Sequence, residues 1–238
     1  MTTTICNPHF NKSGNIKVGR IWTWSTLMGN INWYIEKLGC SVCGTCGNHC
    51  QGCMSACYVR KSYRYSSVKY GHARNTLSLR LYPQETLEKL DGFIVRAKNK
   101  PDVIRINQSG EIESLAQFRI WKELASRHPE IKFYLYTKAF DIVIDELLTE
   151  DTPSNLTVLI SIWHESGITE FRAVEHLKNV KAFVYDDGFD YSAFGLEIQT
   201  YCKAYGENGK LNKEITCQKC KKCFNRSASH KVIGCLEH

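Results

Sequence analysis

Apolar residues along this chain follow two alternating rhythms, and the alternation predicts a fold. Short, nearly continuous runs rich in β-branched and aromatic residues read as strands. They cover Arg20 to Leu27, Val103 to Asn107, Ile131 to Thr137, Asn155 to Trp163 and Val180 to Asp186. Between them apolar residues recur every three or four positions. Leu87, Leu90, Ile94 and Ala97 predict a helix over Glu85 to Asn99. Leu115, Phe118, Trp121 and Ala125 predict another over Leu115 to His128, closed by Pro129. Two more are expected over Phe140 to Leu148 and Thr169 to Asn179, whereas Tyr63 to Arg80 is simply polar and basic. Apolar strands alternating with helices argue for an α/β fold with a parallel sheet covered by helices. About six strand–helix units predict a partial (β/α) barrel rather than a complete one. An open doubly wound sheet is the alternative. Periodicity stops near Tyr201, so the expected division is a barrel over 1–200, with a cysteine-rich loop at 40–57, and an extension over 201–238.

Composition sharpens this in one respect. The chain has 238 residues, of which 43% are hydrophobic, enough to fill a core without disulfides. No apolar run approaches the roughly 20 residues that cross a bilayer. The first residues, MTTTICNPHFNKSGNIK, lack the apolar stretch of a secretory signal. A cytoplasmic location with no membrane partner is therefore expected, and there thiols stay reduced. Yet there are twelve cysteines, six between Cys40 and Cys57 and four between Cys217 and Cys235, with Cys6 and Cys202 apart. Gaps of two or three residues suit a metal, and disulfides across such gaps would be strained. The net charge of +7 either offsets anionic clusters or serves an acidic partner such as nucleic acid.

The first cysteine segment follows the first predicted strand, at the end where α/β folds place their active sites. Within it Cys46, Cys50 and Cys53 have the spacing C-x3-C-x2-C. Three cysteines on one loop hold three irons of a 4Fe–4S cube and leave the fourth iron open to a small molecule. Four thiolates instead make an electron-transfer cluster. Zinc is the plainer alternative, with C-x2-C knuckles at Cys40/Cys43 and Cys50/Cys53.

This spacing resembles the radical S-adenosylmethionine (SAM) superfamily. The resemblance implies an open iron that chelates SAM, reductive cleavage of SAM, and an electron donor such as ferredoxin or flavodoxin. Ser109-Gly110-Glu111, after the strand that ends at Asn107, stands where that superfamily has a SAM-contacting glycine–glycine–glutamate segment. Gly52 departs from it, because an aromatic residue usually precedes the third cysteine. A closer resemblance covers most of the chain. CYVRKSYRYSSVKYGHARN (Cys57 to Asn75), QSGEIES (Gln108 to Ser114), PEIKFYLYTK (Pro129 to Lys138) and the C-x2-C-x2-C tail ending in His238 are similar to the phage-associated "gene product 88" family. That resemblance implies Cys46, Cys53 and Cys57 as the first ligand set, and the cytoplasm of a host cell as the location if the chain is phage-encoded. The resemblance leaves the choice between the two triads open, and Cys46, Cys50 and Cys53 are the expected holders of the catalytic cube.

In the tail, Cys217, Cys220 and Cys223 resemble the start of a ferredoxin ligand set, with Cys235 or Cys202 to complete four. An auxiliary cluster is expected, with a zinc ribbon as the alternative. Lys219, Lys221, Lys222, Arg226 and Lys231 would raise its reduction potential. A cluster shared between loop and tail is a further alternative, with Cys40, Cys43 and Cys57 to spare. Asn107, Ser109, Gly110 and Glu111 are the candidate cofactor-binding residues. His49, His72 and His164 are candidate ligands or acid–base groups that read more simply as polar neighbours. Asp186 and Asp187 either hold ribose hydroxyls or begin a turn with Gly188, and Tyr134, Tyr136, Lys138, Ser161 and Trp163 read as inward-facing core rather than substrate contacts. The basic run Arg60, Lys61, Arg64, Lys69 and Arg74, interleaved with Tyr58, Tyr63, Tyr65 and Tyr70, suits either single-stranded nucleic acid or a solvated flank. Three functions follow in order: a radical-SAM-like enzyme of undetermined reaction class, a redox iron–sulfur protein on the same scaffold, and a zinc-stabilised nucleic-acid-binding module. The substrate, small molecule or macromolecule, is not specified.

Overall fold

The computed structural model describes residues 7–12, 21–47, 51–204, 212, 214–226 and 229–236. Strands β1 (Asn11–Lys12) and β2 (Trp22–Thr23) precede a hairpin of β3 (Asn32–Ile35) and β4 (Cys40–Cys43). Helices α1 (Gln51–Ala56), α2 (Val59–Ser62), α3 (Ser66–Leu81) and α4 (Pro83–Val95) follow. Then β5 (Val103–Ile106), α5 (Leu115–Arg127), β6 (Lys132–Thr137), α6 (Phe140–Thr149), β7 (Leu156–Trp163), α7 (Ile168–Val174) and β8 (Val180–Tyr185) alternate strictly. The chain closes with β9 (Thr200–Tyr201), α8 (Cys217–Cys220) and β10 (Val232–Cys235).

The main sheet has the order β1-β2-β5-β6-β7-β8-β10-β9. Seven strands from β2 to β9 are mutually parallel, and β1 alone runs antiparallel, at one edge. From β2 to β8 the order advances in one direction with no reversal, unlike the switch point of a doubly wound sheet. β10 slots between β8 and β9, so residues 201–238 contribute a strand to the same sheet as the rest of the chain.

Alternation along each strand sorts the side chains onto two faces. Ile104, Ile106, Phe133, Leu135, Val158, Ile160, Ala182 and Val184 share one core with Leu87, Leu90, Phe118, Trp121, Leu124, Val143, Phe171 and Val174 from α4 to α7. The opposite face carries Val103, Tyr134, Leu159, Phe183, Ile233 and Cys235. It is covered by the tail, through Phe224, Cys202, Cys217 and Cys223. The register sets Arg105 beside Tyr134, and Tyr136 beside Leu159, which in turn lies beside Lys181, on this face, which is free of the helices α4 to α7.

The polar stretch after Tyr63 proves to be a helix, α3. Its buried side chains are His72, Ala73, Asn75, Thr76, Ser78 and Leu79. Hydrogen bonds replace the usual apolar stripe. Thr76 Oγ1 accepts from the Leu27 amide at 2.9 Å and donates to the His72 carbonyl. Asn75 Nδ2 donates to the Ser25 carbonyl at 3.0 Å. The helix thereby clamps the chain as it leaves β2.

Candidate functional site

The first cysteine segment is locked beneath the end of β2. Although β2 is short, pairing continues past it: the Trp24 amide donates to Arg105 O, the Gln108 amide to Trp24 O, and the Thr26 amide to Ser109 O. The Thr45 and Cys46 amides donate to Leu27 O and Gly29 O, each at 2.9 Å. Thr45 Oγ1 accepts from the Glu111 amide at 2.8 Å and lies 3.0 Å from Thr26 Oγ1. Gly110 has φ of +81°, and a Cβ there would collide with both threonine oxygens. Only glycine allows this approach. Arg80 adds a clamp from α3, donating to Cys43 O and Gly44 O while pairing with Glu113.

This framework sets Cys46 near Glu111, with Cys53 and Cys57 also near Cys46. Burial pushes the Cys46 thiol well above the ordinary thiol range, and Glu111, Cys53 and Cys57 push it further. Cys57 Sγ stands 3.8 Å from Met28 Sδ. Cys50 and His49 lie outside the described residues. Cys40 and Cys43 do not join the group: both are exposed, on β4, an odd number of positions apart and hence on opposite faces of the strand. A zinc knuckle needs a turn that brings its two sulfurs together, and here there is a strand.

The four candidate cofactor residues end β5. Asn107 sits at φ of +50°, in the left-handed region, and its buried Oδ1 has no hydrogen-bond partner. Ser109 Oγ donates to Thr26 O at 2.9 Å. Glu111 turns inward. Its Oε1 accepts from the Ile112 amide and Thr137 Oγ1, and its Oε2 from the Lys138 amide at 2.7 Å. Burial raises its carboxyl to about 7, against those three hydrogen bonds.

The tail makes a second group on the face free of α4 to α7. Burial pushes the Cys223 thiol up to about 12. The hydrogen bond from Tyr136 opposes this, and Cys217, Cys202 and Cys220 add to it. The Tyr136 hydroxyl donates to Cys223 Sγ at 3.1 Å. Arg105 lies among Tyr58, Tyr134, Tyr136 and Cys217, with its guanidinium 4.7 Å from the Tyr136 ring centroid. Lys181 Nζ donates to Lys222 O and Asn225 O, each at 2.9 Å, and so pins the loop after α8 to the sheet. Cys235 is buried on β10. Among the described residues, no three His, Cys, Asp or Glu side chains stand close enough to clasp a single metal ion.

The remaining sequence candidates take structural places. His72 is buried against the Tyr63 hydroxyl at 3.1 Å, and burial lowers it to about 4. His164, at φ of +51°, pairs with Asp187 at 2.9 Å and stacks on Phe189. Asp186 accepts from the Tyr201 hydroxyl. Tyr134, Tyr136, Ser161 and Trp163 do face inward, and Trp163 packs against Gly52, where its ring would stand 2.7 Å from an added Cβ. In the basic run, Tyr63 is buried, whereas Tyr58 is exposed and donates to Gln108 O. Sequence reasoning missed Thr26, Thr45, Arg105 and Lys181. A cation inside an apolar strand was the available signal for the last two.

No helix among the described residues is long and apolar enough to cross a membrane. No curated protein and no solved structure shows significant similarity to the chain. A family model described as "Gene product 88" matches residues 12–226. The chain therefore belongs to the gene product 88 family.

Proposed function

We propose that this protein is an iron–sulfur enzyme of the radical SAM type. Cys46, Cys53 and Cys57 would hold a 4Fe–4S cluster with one iron open to SAM. The observation that carries the reading is that Cys46 has both Cys53 and Cys57 and the Gly110–Glu111 segment as neighbours, the segment being held by Thr45 next to Cys46 in sequence. One-directional winding from β2 to β8 suits a partial barrel, whose strand ends host such a site. The donor set also fits the group. Three soft thiolates suit iron–sulfur ligation. A single zinc needs sulfurs about 3.8 Å apart, from Zn–S bonds of ~2.3 Å in a tetrahedron, whereas a cubane spreads its cysteines over separate irons.

When bound, such a cluster supplies the electron that cleaves the sulfonium of SAM. The chain's own residues bind and orient. Asn107 Oδ1, buried and without a donor, is suited to take the ammonium of SAM, since leaving it unmet costs about 1–3 kcal/mol. Glu111 already receives three hydrogen bonds, so it acts as a brace that fixes the Thr137–Lys138 turn beside Cys46. The same saturation of Glu111 favours a second reading, a redox iron–sulfur protein that takes no SAM.

The test is electron paramagnetic resonance of the reduced protein with and without SAM. The enzyme reading expects SAM to alter one cluster signal, and Asn107→Ala to weaken that response at least tenfold. Signals indifferent to saturating SAM would select the redox reading.

A further inference from the structure

The face free of α4 to α7 carries polar groups that the packing leaves without partners. Tyr134 is fully buried, yet its hydroxyl has no hydrogen-bond partner, and neither has Arg105 Nε. Tyr134 lies near Cys217 and Cys223, and Arg105 near Cys217. A third donor, the Tyr136 hydroxyl, already points at Cys223 Sγ. One donor aimed at a thiol and two unmet donors close to the same thiols suit an anionic acceptor in their midst. Four cysteines converge there from three pieces of chain. Cys217 and Cys220 come from α8, Cys223 from the turn after it, and Cys202 from the end of β9, where its amide donates to Gly234 O at 2.7 Å. Lys181 fastens the Cys223 loop to the sheet from below.

We propose that Cys202, Cys217, Cys220 and Cys223 ligate a closed iron–sulfur cluster on this face. Arg105 and Tyr134 hold its reduction potential up, and Cys235 is a core residue. The inference rests on the reading that the chain carries iron–sulfur chemistry, but not on SAM binding. Four thiolates cap all four irons, so this cluster exchanges electrons and binds no substrate. Hydrogen bonds and positive charge stabilise its reduced, more negative state and so raise the potential.

The experiment uses the full chain carrying Cys46→Ser, Cys53→Ser and Cys57→Ser, purified anaerobically. About four irons and four sulfides per chain are expected to remain. Adding Cys202→Ser, Cys217→Ser, Cys220→Ser or Cys223→Ser should remove them, and Cys235→Ser should not. Retention of iron in the Cys202→Ser protein with loss in the Cys235→Ser protein would overturn the ligand set. Zinc in place of iron in the triple variant would overturn the cluster itself. Tyr134→Phe removes one oxygen from a packed ring, which keeps the test decisive even where cysteine variants fail to accumulate. Potentiometric titration should place the midpoints of Tyr134→Phe and Arg105→Met below that of the parent, and unchanged midpoints would contradict the tuning role. A SAM-insensitive wild type with an intact tail cluster would reject the enzyme reading and leave this one standing.

Discussion

The two cysteine groups of this protein sit on one parallel sheet but in opposite kinds of surroundings. The first offers three described thiols on the loop and helix after β4, with a buried carboxyl, Glu111, near Cys46 and, four residues before Glu111, an unmet acceptor, Asn107 Oδ1. The second offers four thiols over an apolar face, flanked by unmet donors, Tyr134 and Arg105. A cluster is anionic, so donors and cations face the group that only has to stabilise it. An acceptor beside the other group has a different use, to receive a cationic or donor ligand. On the proposed reading, three thiols with an acceptor make an open site, and four thiols with donors make a closed one. The same logic separates catalytic from structural zinc.

This contrast can be broken or sharpened by experiment. The largest effect should come from the ligands: Cys46→Ser, Cys53→Ser or Cys57→Ser should each cost about half of the bound iron. Cys40→Ser and Cys43→Ser, on opposite faces of β4, should cost none, as metal analysis will show. Next, Gly110→Ala forces a Cβ into Thr26 and Thr45 at positive φ and should destabilise the fold by about 3 kcal/mol in urea.

Glu111 should leave a pH signature in metal-free protein. Its native carboxyl titrates near 7, above the ordinary 4.5. Its contribution is therefore fully present below pH 4.5 and lost as pH rises through 7, by up to about 3 kcal/mol. The stability difference between wild type and Glu111→Gln should shift in the variant's favour from pH 4 to pH 8, and a flat difference would contradict the assignment. Lys181→Met strands two carbonyls of the tail loop and should cost about 2 kcal/mol, loosening Cys223 before it loosens Cys46. Smallest, alkylation of metal-free protein at pH 8 should reach exposed Cys40 and Cys43 well before half-buried Cys223, whose thiol stays protonated up to about 12.

The sequence exposed most of the helix-covered half of this fold. Where strands and helices bury apolar stripes against each other, periodicity alone places them: α5 occupies Leu115–Arg127 against an expectation of Leu115 to His128. It failed where burial is polar. Helix α3 hides His72, Asn75, Thr76 and Ser78 and satisfies them by hydrogen bonds to chain segments distant in sequence. Likewise VIGC became strand β10 only because β8 offered it an edge, with Gly234 leaving room for Tyr201 and Ile198. At the site, cysteine spacing raised the proposal of metal chemistry. It did not distinguish Cys40 and Cys43 from Cys46, Cys53 and Cys57, because grouping depends on which cysteines occupy a strand. Nor did it reveal Arg105 and Lys181 as the floor of the second group. Their role comes from strand register, a long-range property.

The most direct test of the central claim is the iron, acid-labile sulfide and zinc content of the anaerobically purified full chain. Two clusters predict about eight irons and eight sulfides per chain, with little zinc. Stoichiometric zinc with little iron would contradict the account at both sites.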